Sequence, residues 1–90
     1  MRNFFITGIT GFVGSHMADY ILKQSDDVHV YGFKRWRSDE KNIAHLINHP
    51  RVTLLNGDLD DTVSIKRALN MAKPDVVYHF AAQSLPETSF

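Results

Sequence analysis

The chain has no cysteine among its 90 residues. That excludes a disulfide-stapled secreted scaffold and a thiolate zinc site, and it fits a reducing, cytoplasmic setting. Net charge is also missing, because ten Lys and Arg offset ten Asp and Glu. Without an excess of one sign, nothing in the charge balance favours nucleic acid or an anionic membrane as a partner. No apolar run approaches the about 20 residues that a membrane-spanning helix needs. Met1-Arg2 and Phe4-Phe5-Ile6 imitate the opening of a secretory leader. Thr7, Gly8, Thr10 and Gly11 interrupt that run too early, and no small-residue cleavage site follows. His45 and His49 stand at helical i, i+4 spacing, but Pro50 closes the segment and no acidic ligand sits at a suitable offset, so no metal is expected.

What is present is a pattern of four short apolar runs, Phe4–Thr7, Val28–Phe33, Val52–Asn56 and Val76–Phe80, at nearly even spacing. Their β-branched and aromatic content, with little strict alternation, predicts strands buried on both faces, as in a parallel sheet. Helical stripes lie between them. Met17, Ala18, Ile21 and Leu22 form one, and Ile65, Ala68, Leu69 and Ala72 form another, with Asp61 as N-cap and Pro74 as the stop. A shorter helical piece is expected over Asp39–Ile47. The order βαβαβαβ implies right-handed crossovers, and hence an α/β fold that is the N-terminal half of a doubly wound sheet. A full sheet of this type takes six strands in the order 3-2-1-4-5-6, so residues 1–90 are expected to be the N-terminal part of a longer, NAD(P)-binding Rossmann domain. Its fourth strand would be left as an open edge, and alone the piece would be marginally stable.

The first run passes into Thr7-Gly8-Ile9-Thr10-Gly11-Phe12-Val13-Gly14 and then into the first helical stripe. Strand, glycine turn and helix in that order form a diphosphate cradle. Gly8, Gly11 and Gly14 allow a tight turn and close backbone approach, and the helix start aims unpaired N–H groups at an anion. Phe12 and Val13 N–H are the expected donors. No Gly-Lys-Ser/Thr follows, which excludes a P-loop. An acid is also missing at the end of the second run, where NAD sites hold the ribose hydroxyls: the sequence reads Gly32-Phe33-Lys34-Arg35-Trp36-Arg37-Ser38 before Asp39. Arg35 and Arg37 instead suit the 2′-phosphate of NADP, with Thr10 adding a hydroxyl. The competing reading is that Lys34, Arg35 and Arg37 form a solvated basic loop. After the third run, Asp58 and the Leu59 backbone are candidates for the adenine edge, while Asp60 or Asp61 caps the next helix; a purely local role for all these acids is the alternative. After the fourth, Ala81 and Ala82 let the backbone approach ribose and nicotinamide, and Gln83 and Ser84 face the substrate side. His79 has no orienting group near it in sequence, so it reads as a strand histidine rather than a catalytic base.

With those motifs assembled, the chain resembles the extended short-chain dehydrogenase/reductases that act on nucleotide sugars. The resemblance is carried by Thr7-Gly8-x-x-Gly11-Phe12-Val13-Gly14, Gly57-Asp58-Leu59 and His79-Phe80-Ala81-Ala82-Gln83-Ser84. Arg35, Ala81 to Ser84 and Ser89-Phe90 make it most similar to GDP-mannose 4,6-dehydratases. Trp36 and Leu85-Pro86-Glu87 depart from the usual pattern. The resemblance implies an NADP-dependent lyase that converts GDP-mannose to the 4-keto-6-deoxy sugar by internal hydride transfer and loss of water. It also implies a homo-oligomer when full length. The catalytic Ser/Thr and Tyr-x-x-x-Lys of such enzymes do not occur here, since none of Tyr20, Tyr31 and Tyr78 has a Lys four residues on. These 90 residues alone are therefore expected to be inactive. A reductase or epimerase of the same family, or a non-catalytic NADP-sensing module, would share every motif above.

Overall fold

Val28, Val30, Val52, Val76 and Val77, with Phe4, Phe5 and Phe33, lie where strands form, while Gly8, Gly11, Gly57, Pro50 and Pro74 fall between the elements. In a computed structural model describing residues 2–35, 39–58 and 60–80, the elements run β1 (Arg2–Thr7), α1 (Phe12–Gln24), β2 (Val28–Lys34), a 3-10 segment (Lys41–Leu46), β3 (Val52–Asn56), α2 (Thr62–Ala72) and β4 (Val76–His79). The strands pair in parallel in the order β3-β2-β1-β4, the doubly wound order read from the alternating pattern. Opposite faces of the strands feed separate cores. Phe4, Ile6, Val28, Val30 and Val52 meet Ala18, Ile21 and Leu22 of α1 and Ile43 and Leu46 of the 3-10 segment. On the other face, Phe5 and Phe33 meet Ala68 and Ala72 of α2. Burial on both sides is why these strands lack alternation.

Helix ends follow local chemistry. Asp61 caps α2 by accepting from Val63 N–H and from the Ser64 hydroxyl, each at 3.0 Å. Lys73 then enters the left-handed region at φ 43° and donates its N–H to Leu69 C=O, closing α2 one residue before Pro74. At the end of α1, the Arg51 guanidinium donates to the carbonyls of Leu22 and Ser25 at 3.0 and 2.8 Å. A cation placed there complements the negative end of the helix dipole.

The segment expected to be helical over Asp39–Ile47 is instead a shorter 3-10 segment with Ile43 off helical geometry at φ −120°. Three-residue periodicity is what stacks Ile43 over Leu46, and both are buried. The tight geometry starts where the Asp39 carboxylate accepts the Lys41 N–H at 2.9 Å. Here His45 pairs with Asp19 of α1 at 2.7 Å, whereas His49 Nδ1 accepts the Arg51 N–H. Strand limits differ slightly from the sequence reading: β1 begins at Arg2, β2 reaches Lys34 and β4 ends at His79. Among the described residues, no helix is long and apolar enough to cross a membrane.

Candidate functional site

The turn between β1 and α1 opens at the carboxyl end of the sheet, where doubly wound folds bind their ligands. Gly8 takes φ 72°, and its carbonyl accepts the Gly11 N–H at 3.0 Å. A Cβ on Gly14 would stand 2.2 Å from the Gly8 oxygen, so the first turn of α1 lies against the backbone of the glycine turn. Ile9, fully buried, fixes the turn to the sheet; its side chain fills the space that a Cβ at Gly32 would take. Gly11 caps α1 without any side-chain hydrogen bond, and the first amide bonded back to it is Ser15 N–H, at 3.0 Å. Phe12, Val13 and Gly14 N–H therefore have no acceptor within the helix. Phe12 and Val13 are the two whose amides the sequence offers as diphosphate donors. The side chains of Phe12 and Val13 are 72% and 56% exposed beside them. The half-buried Thr10 supplies its carbonyl to Asn42 Nδ2 at 3.0 Å, which hooks the 3-10 segment onto the turn.

At the end of β2 the basic residues separate. Arg35 is exposed. Lys34, which the competing reading would place in a solvated basic loop, is buried and bonded to Asn56 and Glu40. The reason is strand phase. β2 runs on to Lys34, which pairs with Asn56 of β3 and is thereby carried into the sheet. No sequence signal separates this lysine from its basic neighbours except its place at the end of an apolar run.

Asp58 follows β3 and is exposed, with Oδ1 accepting the Asp60 N–H at 2.9 Å. Its carboxylate thus shapes the turn leading to α2, whereas the helix cap itself is Asp61. Hydrogen bonds from the Ser64 hydroxyl and then the Val63 N–H hold the Asp61 carboxyl below its usual pKa. At the end of β4, Thr7 Oγ1 lies 2.7 Å from His79 Nδ1. The histidine thus has the orienting partner that sequence proximity did not offer; the β1–β4 register sets Thr7 opposite His79. Arg37, Leu59, Ala81, Ala82, Gln83 and Ser84 lie outside the described residues.

A parallel sheet in this order, with a glycine turn and an uncapped helix start at the end of its first strand, defines the doubly wound, Rossmann-type class of α/β domains. The sequence match is narrower. Residues 5–90 match the family described as GDP-mannose 4,6 dehydratase, and the chain belongs to that family. The Drosophila melanogaster GDP-mannose 4,6 dehydratase is 37% identical over 91 aligned positions, covering 94% of this chain and 23% of that protein. Among solved structures, the Bordetella bronchiseptica enzyme WbmH in complex with NAD+ is 31% identical with a TM-score of 0.76, over 96% of this chain and 27% of that one. The Bacillus anthracis dTDP-glucose 4,6-dehydratase in complex with NAD reaches a TM-score of 0.84 at 23% identity, covering 96% of this chain and 28% of that one, a likeness of fold. The chain thus spans about a quarter of the length of the relatives it matches.

Proposed function

We propose that this chain forms the NADP-binding portion of a nucleotide-sugar 4,6-dehydratase that acts on GDP-mannose. The observation that carries the reading is the cradle at Gly8, Gly11 and Gly14. Backbone meets backbone where a side chain at Gly14 would collide, and among the described residues no side-chain cap closes the start of α1. That surface suits a diphosphate, whose charge the helix start would stabilise. Family membership supports the substrate class.

Support for NADP over NAD comes from the end of β2, where Arg35 is exposed. Arg37 is the second candidate for the 2′-phosphate, and Thr10 a third contact from the turn. Asp58 keeps one carboxylate oxygen outside its turn hydrogen bond and is assigned, with Leu59, to the adenine edge. Ala81 and Ala82 are assigned to the approach of ribose and nicotinamide, and Gln83 and Ser84 to the substrate side. When bound, the nicotinamide supplies a reversible hydride acceptor. This part of the protein contributes binding, orientation and exclusion of water at the diphosphate. The whole protein is read as cytoplasmic and homo-oligomeric.

The test is to incubate the full-length protein with NADP and GDP-mannose carrying deuterium at C4. A product lighter by one water, with that deuterium moved to C6 and no build-up of NADPH, is the expected result. Net consumption of NADPH on a 4-keto sugar, without dehydration, would indicate a reductase instead. Dinucleotide binding with no turnover would leave an NADP-sensing module.

A further inference from the structure

The end of β2 holds a buried cation to which the dinucleotide reading assigns no role. Lys34 keeps only 7% of its surface exposed, and an ammonium has three N–H donors. Among the described residues three acceptors surround it: Asn56 Oδ1 at 2.9 Å, the Arg35 carbonyl at 3.2 Å and Glu40 Oε2 at 2.9 Å. They come from three pieces of structure: the end of β3, the first residue after β2, and the residue that opens the 3-10 segment. The Lys34 carbonyl in turn accepts the Gly57 N–H at 2.9 Å, so the backbone joins the same junction.

Glu40 gives this junction its consequence. It brings a carboxylate, 41% exposed, to the end of β2. A free carboxylate near that strand end accepts hydrogen bonds from ribose hydroxyls and repels a 2′-phosphate. The nearby Asp39 carboxylate is already engaged by the Lys41 N–H. We infer that Lys34 is a positioning residue for cofactor discrimination: it tethers and neutralises Glu40 and holds the Arg35 backbone, which favours a 2′-phosphorylated dinucleotide over an unphosphorylated one. This rests on the reading that the chain binds a nicotinamide dinucleotide.

Calorimetric titration of NADP and of NAD into the full-length protein tests it, with Lys34→Met, Glu40→Gln and the double variant compared with wild type. Lys34→Met should lower the NADP-to-NAD affinity ratio about ten-fold, the scale of one uncompensated charge near a protein surface. Adding Glu40→Gln should bring that ratio back to within about two-fold of wild type, because the two groups act as one coupled pair. Glu40→Gln alone, at a partly exposed position, should fold and move the ratio toward NADP. A merely structural lysine would weaken both dinucleotides alike. An unchanged ratio in Lys34→Met and in Glu40→Gln overturns the inference and leaves the dinucleotide reading standing. A wild-type protein that binds neither dinucleotide overturns both.

Discussion

Gly14 fixes how near α1 comes to the glycine turn. An alanine there would put its methyl carbon 2.2 Å from the Gly8 carbonyl oxygen, and the obstructing atom is backbone, so the turn itself must shift. Gly14→Ala is expected to destabilise the protein by about 1–3 kcal/mol, the usual cost of overpacking. It should also weaken dinucleotide binding, which denaturant unfolding and a binding titration would read separately. His29 gives the fold a pH dependence. Its Nε2 lies 2.7 Å from Thr53 Oγ1. Burial first, and then the charges of Arg51 and His49, hold its pKa below the ordinary 6.5. The unfolded chain therefore binds this proton more readily than the folded one. The stabilising contribution is complete above the ordinary value and is lost as pH falls from there through the folded pKa. Unfolding midpoints measured down that range should fall less steeply for His29→Gln than for wild type.

Elements form where short-range chemistry and burial agree. The strands and both α-helices were legible because their apolar spacing coincides with their real faces. Ala18, Ile21 and Leu22 are buried, as are Ala68 and Ala72. Asp61 was legible as a cap because its contacts lie within three residues. The 3-10 segment was not, because one of its anchors, Asn42 reaching Thr10 across 32 positions, is long-range. Lys34 and the Thr7–His79 pair were hidden for the same reason: sheet pairing creates their contacts, and spacing carries no trace of them. In the candidate site, the glycine turn could therefore be read as a local object, whereas the junction beneath Arg35 could not. Asp61→Ala should lower the thermal midpoint and fray the start of α2. Because hydrogen bonds depress the Asp61 pKa, its contribution is present above its ordinary value of 3.8 and disappears as pH falls below it. Hydrogen exchange of the Val63 and Ser64 amides, compared between wild type and variant, would check that this loss is local.

At the scale of the whole molecule, two cores on opposite faces hold one sheet in place, and the sheet holds the glycine turn. Phe5 and Phe33 tie α2 to the face away from α1, with ring centroids 5.9 Å apart. Phe33→Ala should cost about 3–5 kcal/mol by denaturant unfolding, as buried aromatic truncations do. Phe33 also directly precedes Lys34, so the packing of one core sets the phase of the polar junction at the site. On the proposed reading, this scaffold offers NADP a diphosphate cradle and a 2′-phosphate contact. Titrating NADP and NAD into the full-length protein and its Arg35→Ala variant tests this. Wild type should bind NADP more tightly than NAD. Arg35→Ala should lose about ten- to a hundred-fold for NADP alone, as expected for one charge-assisted contact. Equal affinities for the two dinucleotides, unchanged by Arg35→Ala, would contradict it.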